Sequence, residues 1–306
     1  MTGTRFLVLG GNGQLGRELQ SVSMDNGIDL VALGRSDVDV TEPEAIQRAL
    51  SQFAPEVVVN AAAFTNVDAA EAQRDAAWNV NCRGAGVVAA ACATAGLPLI
   101  HISTDYVFDG QKASPYTEDD AVAPLSVYGA SKEAGERAVR EASPKHLILR
   151  TAWTYGRHGT NFLKTIVRLA LENDALRVVA DQCGNPTATE DLAAAILVAG
   201  NRVLASADLW GTYHFAGSGE ASRHEFAIEI VKAQAHWTGK RPAVAATSTA
   251  EYRTPASRPP NSRLDSSRFF ACFGAKAAPW QSRVPPVVEA VLREMGVQSG
   301  SPKLGG

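Results

Sequence analysis

Five short apolar runs fill the first half of the chain, each separated from the next by a helix-like stretch, and a glycine-rich turn directly follows the first. None of the runs alternates apolar with polar residues, which marks strands buried on both faces. These observations predict an α/β fold: a Rossmann-type doubly wound parallel sheet, followed by a second, smaller α/β lobe. The boundary falls near residue 150. Residues 1–150 form the first domain, and 151–306 mainly form the second, with some later segments returning to the first.

The first strand spans 5–9 and leads through the glycine turn into a helix from about Leu15. A second strand covers 29–33. Thr41-Glu-Pro-Glu44 opens the next helix, with Thr41 as cap, Pro43 in the first turn and Glu44 completing a capping box. A third strand at 57–60 precedes an alanine-rich helix over about 75–95. The fourth strand (98–102) runs into a long loop and a helix over 127–140, and 146–150 closes the series. Beyond Thr151 the spacing predicts helices over 161–173, from near 189, from the capping box Ser222-x-x-Glu225 to about 235, and over 287–295. A strand is expected at 211–215. Residues 237–268 are rich in Pro, Ser, Thr and Arg and read as a long surface loop, and 297–306 as a frayed tail.

Composition excludes several classes. With 29 basic and 32 acidic residues, the net charge of −3 supplies no field for nucleic acid or an anionic membrane surface. The longest early apolar run is too short for a signal-peptide core or a membrane span. The four cysteines form no CxxC and no zinc-like spacing, which fits reduced thiols in a cytoplasm.

Three motifs carry chemistry. Gly10-Gly-Asn12-Gly13-Gln14-Leu15-Gly16 places GxxGxxG between a strand and a helix, where backbone approaches a pyrophosphate at a helix N-terminus. A tight turn that binds nothing is the bland alternative. The second strand ends in Leu33-Gly-Arg35-Ser with no acid to hold a ribose 2′-hydroxyl. Arg35 would instead fork onto a 2′-phosphate, which favours NADPH and leaves NADH open. Asp39 and Val40 would border the adenine. Tyr128 and Lys132 lie four apart on one helical face, so phenol and ammonium meet one ligand. A nearby cation lowers a phenol's pKa toward neutrality, although YxxxK also arises often by chance. Thr104 and Asp105 follow the fourth strand, where open α/β sheets bind ligands. The Thr104 hydroxyl can donate to a carbonyl oxygen as charge grows on it; capping the next turn is nearly as good a reading of Asp105. His101, within the strand, reads as a core histidine.

Beyond these motifs, the chain resembles the extended short-chain dehydrogenase/reductases and, within them, the dTDP-4-dehydrorhamnose reductase family. The matching stretches are 10–16, VVNAAAFTNVDAAE (58–71), STDYVFDG (103–110), VYGASK (127–132), RTAWTYG (150–156), DQCGNPT (181–187) and TPASRPPNSRL (254–264). The resemblance implies reduction of the C4 ketone of dTDP-4-dehydro-L-rhamnose with NADPH or NADH, the last step of dTDP-L-rhamnose biosynthesis. Tyr128 would protonate the C4 oxygen, Lys132 would hold the nicotinamide ribose and depress the Tyr128 pKa, Thr104 would polarise the carbonyl, and Asp105 would orient sugar hydroxyls. Ala62, Ala63, Phe64 and Thr65 would line the cofactor, and Trp153 would offer an apolar face to the deoxysugar. Arg253, Arg258 and Arg263 would either meet the nucleotide diphosphate or support the lobe interface. Cys183 departs from the aromatic common at that place. Some relatives hold Mg2+ at a dimer interface through glutamates; Glu18, Glu190 and Glu294 stand near the matching places, and no metal is assigned. The implied protein is a cytoplasmic monomer or homodimer acting on a small nucleotide sugar. The alternatives are another nucleotide-sugar 4-ketoreductase or epimerase, and a non-catalytic subunit like the regulatory subunit of eukaryotic methionine adenosyltransferase.

Overall fold

The computed structural model describes residues 4–206 and 208–299. The last residues of the expected tail, 300–306, lie outside them. A six-stranded parallel sheet organises the first part of the chain in the order β10-β5-β4-β3-β1-β2. Its strands are β1 (Phe6–Leu9), β2 (Leu30–Leu33), β3 (Val57–Asn60), β4 (Leu99–Thr104), β5 (His146–Thr151) and β10 (Gly211–His214). The helices between them are α1 (Gln14–Asp25), α2 (Pro43–Phe53), α3 (Val67–Ala72), α4 (Arg74–Trp78), α5 (Ala85–Thr94) and α6 (Val127–Ala142). Strand order reverses between β1 and β3, so their carboxyl ends part and leave a crevice there. Two apolar layers, one on each face of the sheet, bury β1, β3, β4 and β5 almost completely.

The second half of the chain contains β6 (Thr154–Tyr155), α7 (Phe162–Glu172), β7 (Ala175–Val179), β8 (Cys183–Gly184), β9 (Thr187–Ala188) and α8 (Thr189–Ala205). After β10 come β11 (Ala221–Ser222), α9 (Arg223–Thr238), β12 (Ala243–Thr247), α10 (Ser267–Phe273) and α11 (Trp280–Glu294). Helices α7, α9 and α11 enclose a separate core around Tyr155, Phe226, Trp280 and Leu292. Helix α8 and strand β10 instead pack into the first sheet's core, through Leu192, Ile196 and Tyr213.

Four local expectations are corrected. Thr41 does not cap α2: the residue before the helix is Glu42, and Thr41 is tied to Asp39 through its N–H and hydroxyl, at 2.9 and 2.8 Å. The 75–95 helix is interrupted by a π-helical turn at Asn79–Gly84, which turns Asn81 inward. The 237–268 segment is not all loop, because β12 pairs in parallel with β7. Helix α11 starts seven residues before the expected 287, running through Pro285 and Pro286 in its second turn. Two adjacent prolines read as a stop in sequence, but packing of Trp280 and Val284 holds the helix across them.

Candidate active site

The crevice at the ends of β1 and β3 divides into two connected regions. One, of about 240 Å³, is lined by Gly10, Asn12, Gly13, Arg35, Val38, Asp39, Val40, Ala61, Ala62, Ala63, Phe64 and Val80. The other, about 370 Å³, is bordered by Gly13, Gln14, Leu15, Thr65, Thr104, Asp105, Tyr128, Lys132, Trp153 and Arg223, among others. Gly13 belongs to both.

The glycine turn is built tightly. Gly10 and Gly11 donate to the Leu33 carbonyl at 2.9 and 2.8 Å, and Gly13 donates to Gly10 at 3.0 Å. Gly10 sits at φ +91°, and a Cβ there would come within 2.7 Å of the Ala62 nitrogen. A side chain at Gly16 would collide with the Gly10 carbonyl. Gly13 precedes α1 with no side-chain cap, which leaves first-turn N–H groups for an anion. These features fit a dinucleotide pyrophosphate laid across the turn. Gln14 accepts a hydrogen bond from Asn161 at the start of α7 (2.8 Å), and the Asn12 amide packs against Gly34. Arg35 makes no ion pair among the described residues and stands at the mouth of the smaller region. Hydrogen bonds from Thr41 hold the Asp39 carboxyl below the usual carboxylate range, and the Arg35 and Arg83 charges add to this.

Opposite the turn, Thr104 is the last residue of β4 and is buried. Its hydroxyl donates to Asp105 Oδ1 at 3.0 Å and accepts from the Tyr106 N–H at 3.2 Å. Tyr128 enters from the first turn of α6. That turn is fixed by Ser126, which caps Gly129 at 3.2 Å, and by Glu71, which accepts from the Val127 N–H at 2.9 Å. A side chain at Gly129 would overlap the Tyr106 carbonyl, so glycine permits this close seat. The Tyr106 and Tyr128 rings meet edge to face at 5.8 Å.

Burial pushes the Tyr128 phenol above its ordinary value, the neighbouring Thr104 hydroxyl draws it back, and Asp105 and Tyr106 push it up again. The net direction in this structure is upward, with burial the largest cause. The buried Lys132 ammonium donates to the Ile102 carbonyl at 2.6 Å. Burial lowers Lys132 itself to about 8, against the pull of Glu136. Asp105 is raised to about 6 by burial, partly offset by Ser262, Thr104 and Arg223, and its Oδ2 has no hydrogen-bond partner.

Trp153 forms the wall facing Tyr128. It holds a left-handed backbone at φ +45°, its indole N–H donates to Ser262 Oγ at 3.0 Å, and the Arg223 guanidinium lies 3.6 Å over the ring. A Cβ on Gly184 would strike the indole. Arg223, the first residue of α9, borders the cavity beside Asp105 and Tyr106 and forms no ion pair among the described residues. Sequence reasoning passed over it. The one local signal was the capping box of Ser222 and Glu225, which pins the turn carrying it. Asn81 was also missed: from the π turn it accepts from the Phe64 N–H at 2.7 Å and donates to Phe64 O and Ser131 Oγ.

The three arginines of the 253–264 segment take different places. Arg258 forms a two-pronged pair with Asp68, at 3.1 and 2.8 Å. Arg263 bonds Glu220, Asn261 and the Ala113 carbonyl. Both tie the segment down, whereas Arg253 is exposed. Cys183 joins the same seam through backbone bonds to Pro260 and Ser262. His101 is buried against Asn60 and held neutral. Glu18 accepts from Thr189, Glu190 faces Arg283 and Glu294 faces Lys164. Among the described residues, no group of three or more His, Cys, Asp or Glu side chains is gathered for a metal ion.

A parallel doubly wound sheet, a glycine turn at its switch point and a Thr–Tyr–Lys set across the crevice define an oxidoreductase of the short-chain dehydrogenase/reductase class. The family described as RmlD substrate binding domain matches residues 4–293. The dTDP-4-dehydrorhamnose reductase of Sinorhizobium fredii (strain NBRC 101917 / NGR234) is 43% identical over 292 residues, covering 95% of this chain and 98% of that protein. That of Aggregatibacter actinomycetemcomitans is 42% identical over 281 residues, covering 90% and 96%. The crystal structure of dTDP-4-dehydrorhamnose reductase from Bacillus anthracis str. Ames in complex with NADP matches with a TM-score of 0.86 at 35% identity, covering 93% and 98% of the two chains. The chain belongs to the dTDP-4-dehydrorhamnose reductase family. No described helix is long and apolar enough to cross a membrane.

Proposed function

We propose that the protein reduces the C4 ketone of dTDP-4-dehydro-L-rhamnose to dTDP-L-rhamnose using NADPH, with NADH as a second donor. The observation that carries this reading is the convergence of Thr104, Tyr128 and Lys132 on a cavity that shares Gly13 with the dinucleotide turn. When bound, the nicotinamide supplies a hydride to C4.

The chain's own groups do the rest. Tyr128 gives its phenolic proton to the C4 oxygen. Its high proton affinity suits a donor that must stay protonated at neutral pH. The Thr104 hydroxyl, beside the phenol, steadies the developing oxyanion. That role needs its proton to leave Asp105, where it points in this structure, and to turn toward the ketone. Lys132 holds the nicotinamide ribose, Asp105 accepts from sugar hydroxyls, and Trp153 covers the apolar face of the deoxysugar. Arg223, which forms no ion pair among the described residues and borders the cavity, receives the substrate's diphosphate. Gly10, Gly13, Gly16 and the start of α1 receive the cofactor pyrophosphate, and Arg35 its 2′-phosphate. In this reading residues 1–150 act mainly as the cofactor lobe and the later residues mainly as the sugar lobe, and the enzyme works in the cytoplasm.

The test is NADPH oxidation with enzymatically prepared dTDP-4-dehydro-L-rhamnose and identification of dTDP-L-rhamnose as product. Folded, NADPH-binding protein that fails to turn over this substrate would overturn the proposal and favour a non-catalytic binding subunit.

A further inference from the structure

Tyr128, Lys132, Glu136 and Arg140 stand four residues apart along one stripe of α6. The first two face the cavity, and the third points beneath it. Glu136 is completely buried, yet it is saturated with donors. Ser103 Oγ and Arg150 Nε donate to Oε1 at 2.6 and 2.8 Å, and Arg150 Nη2 and Arg140 Nη1 donate to Oε2 at 2.7 and 3.2 Å. Ser103 immediately precedes Thr104 on β4, and Arg150 is its register partner on β5. One carboxylate thus fastens the tyrosine helix to the two strands that end at the site.

Stability alone does not call for such an arrangement. A buried ion pair often does no better than an apolar pair of the same volume, because desolvation offsets the attraction. Its position gives it a second task. Lys132 is buried, its bonded partner is a neutral carbonyl, and it forms no ion pair among the described residues. We propose that Glu136, locked by Arg150 and Ser103, is a positioning residue of the reaction that sets α6 against β4 and supplies the countercharge for buried Lys132. The inference rests on the role given to Lys132 under the proposed function.

The other groups near Lys132 do not supply that charge. His101, from β4, is held neutral by burial and by Lys132 itself. Tyr128, on α6, is a protonated phenol. Asp105, beyond β4, is turned toward Thr104 and Arg223. Arg150 and Arg140 are both spent on Glu136, and His214, from β10, is a neutral neighbour of Arg150 at 3.4 Å. Glu136, one helical turn along α6, and the Ile102 carbonyl both favour the charged Lys132 against burial, and of the two only Glu136 carries a charge. Without it, the ammonium deprotonates at lower pH.

The deciding experiment uses the paired variant Glu136→Gln/Arg150→Met, which removes both buried charges together. Glu136→Gln alone would strand a buried guanidinium. Two quantities are followed from pH 6 to 9.5: kcat with the nucleotide sugar, and NADPH affinity by energy transfer from protein to nicotinamide, which needs no substrate. The paired variant is expected to keep a near-wild-type thermal midpoint, with the alkaline limb of both quantities displaced toward acid. Ser103→Ala, which removes a hydrogen bond and leaves the charge, is expected to leave both limbs in place. Should the paired variant not fold, Glu136→Asp is read instead, with a smaller displacement in the same direction. A folded variant with unmoved limbs, or an equal displacement in Ser103→Ala, overturns the inference. Should the wild type fail to turn over the sugar, the proposed function falls, and the NADPH-affinity limb still decides the role of Glu136.

Discussion

The two sides of the crevice are built in opposite ways. The side that the proposed function gives to the cofactor is local: Gly10 to Gly16 form one turn, Arg35 and Asp39 follow the next strand, and most of its shape is backbone. The side that it gives to the sugar is assembled from distant places. Thr104 ends β4, Tyr128 begins α6, Trp153 follows β5, Arg223 opens α9, and Ser262 reaches in from the 253–264 segment. The difference teaches where chemistry is general and where it is selective. A turn of glycines accepts any dinucleotide pyrophosphate, whereas selection among sugars depends on side chains that tertiary packing alone brings together.

Substitutions should divide along the same line, and the largest effect is expected on the sugar side. Tyr128→Phe removes the proton donor, and kcat should fall by roughly 10²-fold or more. NADPH affinity and the thermal midpoint should barely change. A near-normal rate in steady-state kinetics would strike Tyr128 from its role.

Arg223→Ala should raise KM for the nucleotide sugar by about 10- to 100-fold, the scale of a lost charge-assisted bond of ~1.5–3 kcal/mol. NADPH affinity, read by fluorescence titration, should hold. Equal damage to both ligands would blur the comparison.

Asp105 offers a pH test. Its carboxyl, raised from 3.8 to about 6, favours the fold when protonated. That contribution is complete below the unfolded value and is lost as pH rises through about 6. Ionised Asp105 therefore strains the protein at neutral pH while serving the sugar. Asp105→Asn should raise the thermal midpoint at pH 7.5 by a few degrees and lower kcat/KM. It should also abolish a rise in kcat/KM centred near pH 6 in the wild type. A midpoint that falls at neutral pH would contradict the assignment.

The smallest effect is expected on the cofactor side. Arg35→Ala should weaken NADPH about 10-fold and leave NADH nearly unchanged, as expected for one exposed phosphate contact. Equal losses for both cofactors, measured by titration, would show that Arg35 does not read the 2′-phosphate.

The same contrast explains what was legible in the sequence. The glycine turn, the five strands, of which all but the half-buried edge strand β2 are buried, and the Tyr128–Lys132 pair are short-range patterns, set by periodicity and backbone sterics. Arg223 could not be told from a solvated arginine, because its seat over Trp153 and beside Asp105 joins it to residues 70 and 118 positions earlier in the chain. The parting of roles among Arg253, Arg258 and Arg263 depended likewise on Asp68 and Glu220 lying opposite. Asn81 was hidden by the π turn, which alanine-rich sequence does not announce. The acidity of Tyr128 was not legible for a physical reason: spacing placed Lys132 on the right face, but the depth at which the phenol is buried, which raises its proton affinity, is set by tertiary packing.

Trp153 carries a last consequence. Its ring is gripped on one side by Arg223 and at its edge by Ser262, with Gly184 pressed so near that no side chain fits between. Its rotational freedom is surrendered when the chain folds, before any sugar arrives. A ligand meeting this wall has no loose indole to immobilise, so more of its contact energy remains as affinity. Under the proposed function the residues that guard this advantage, Gly184 above all, would shape recognition of a sugar from outside its reach.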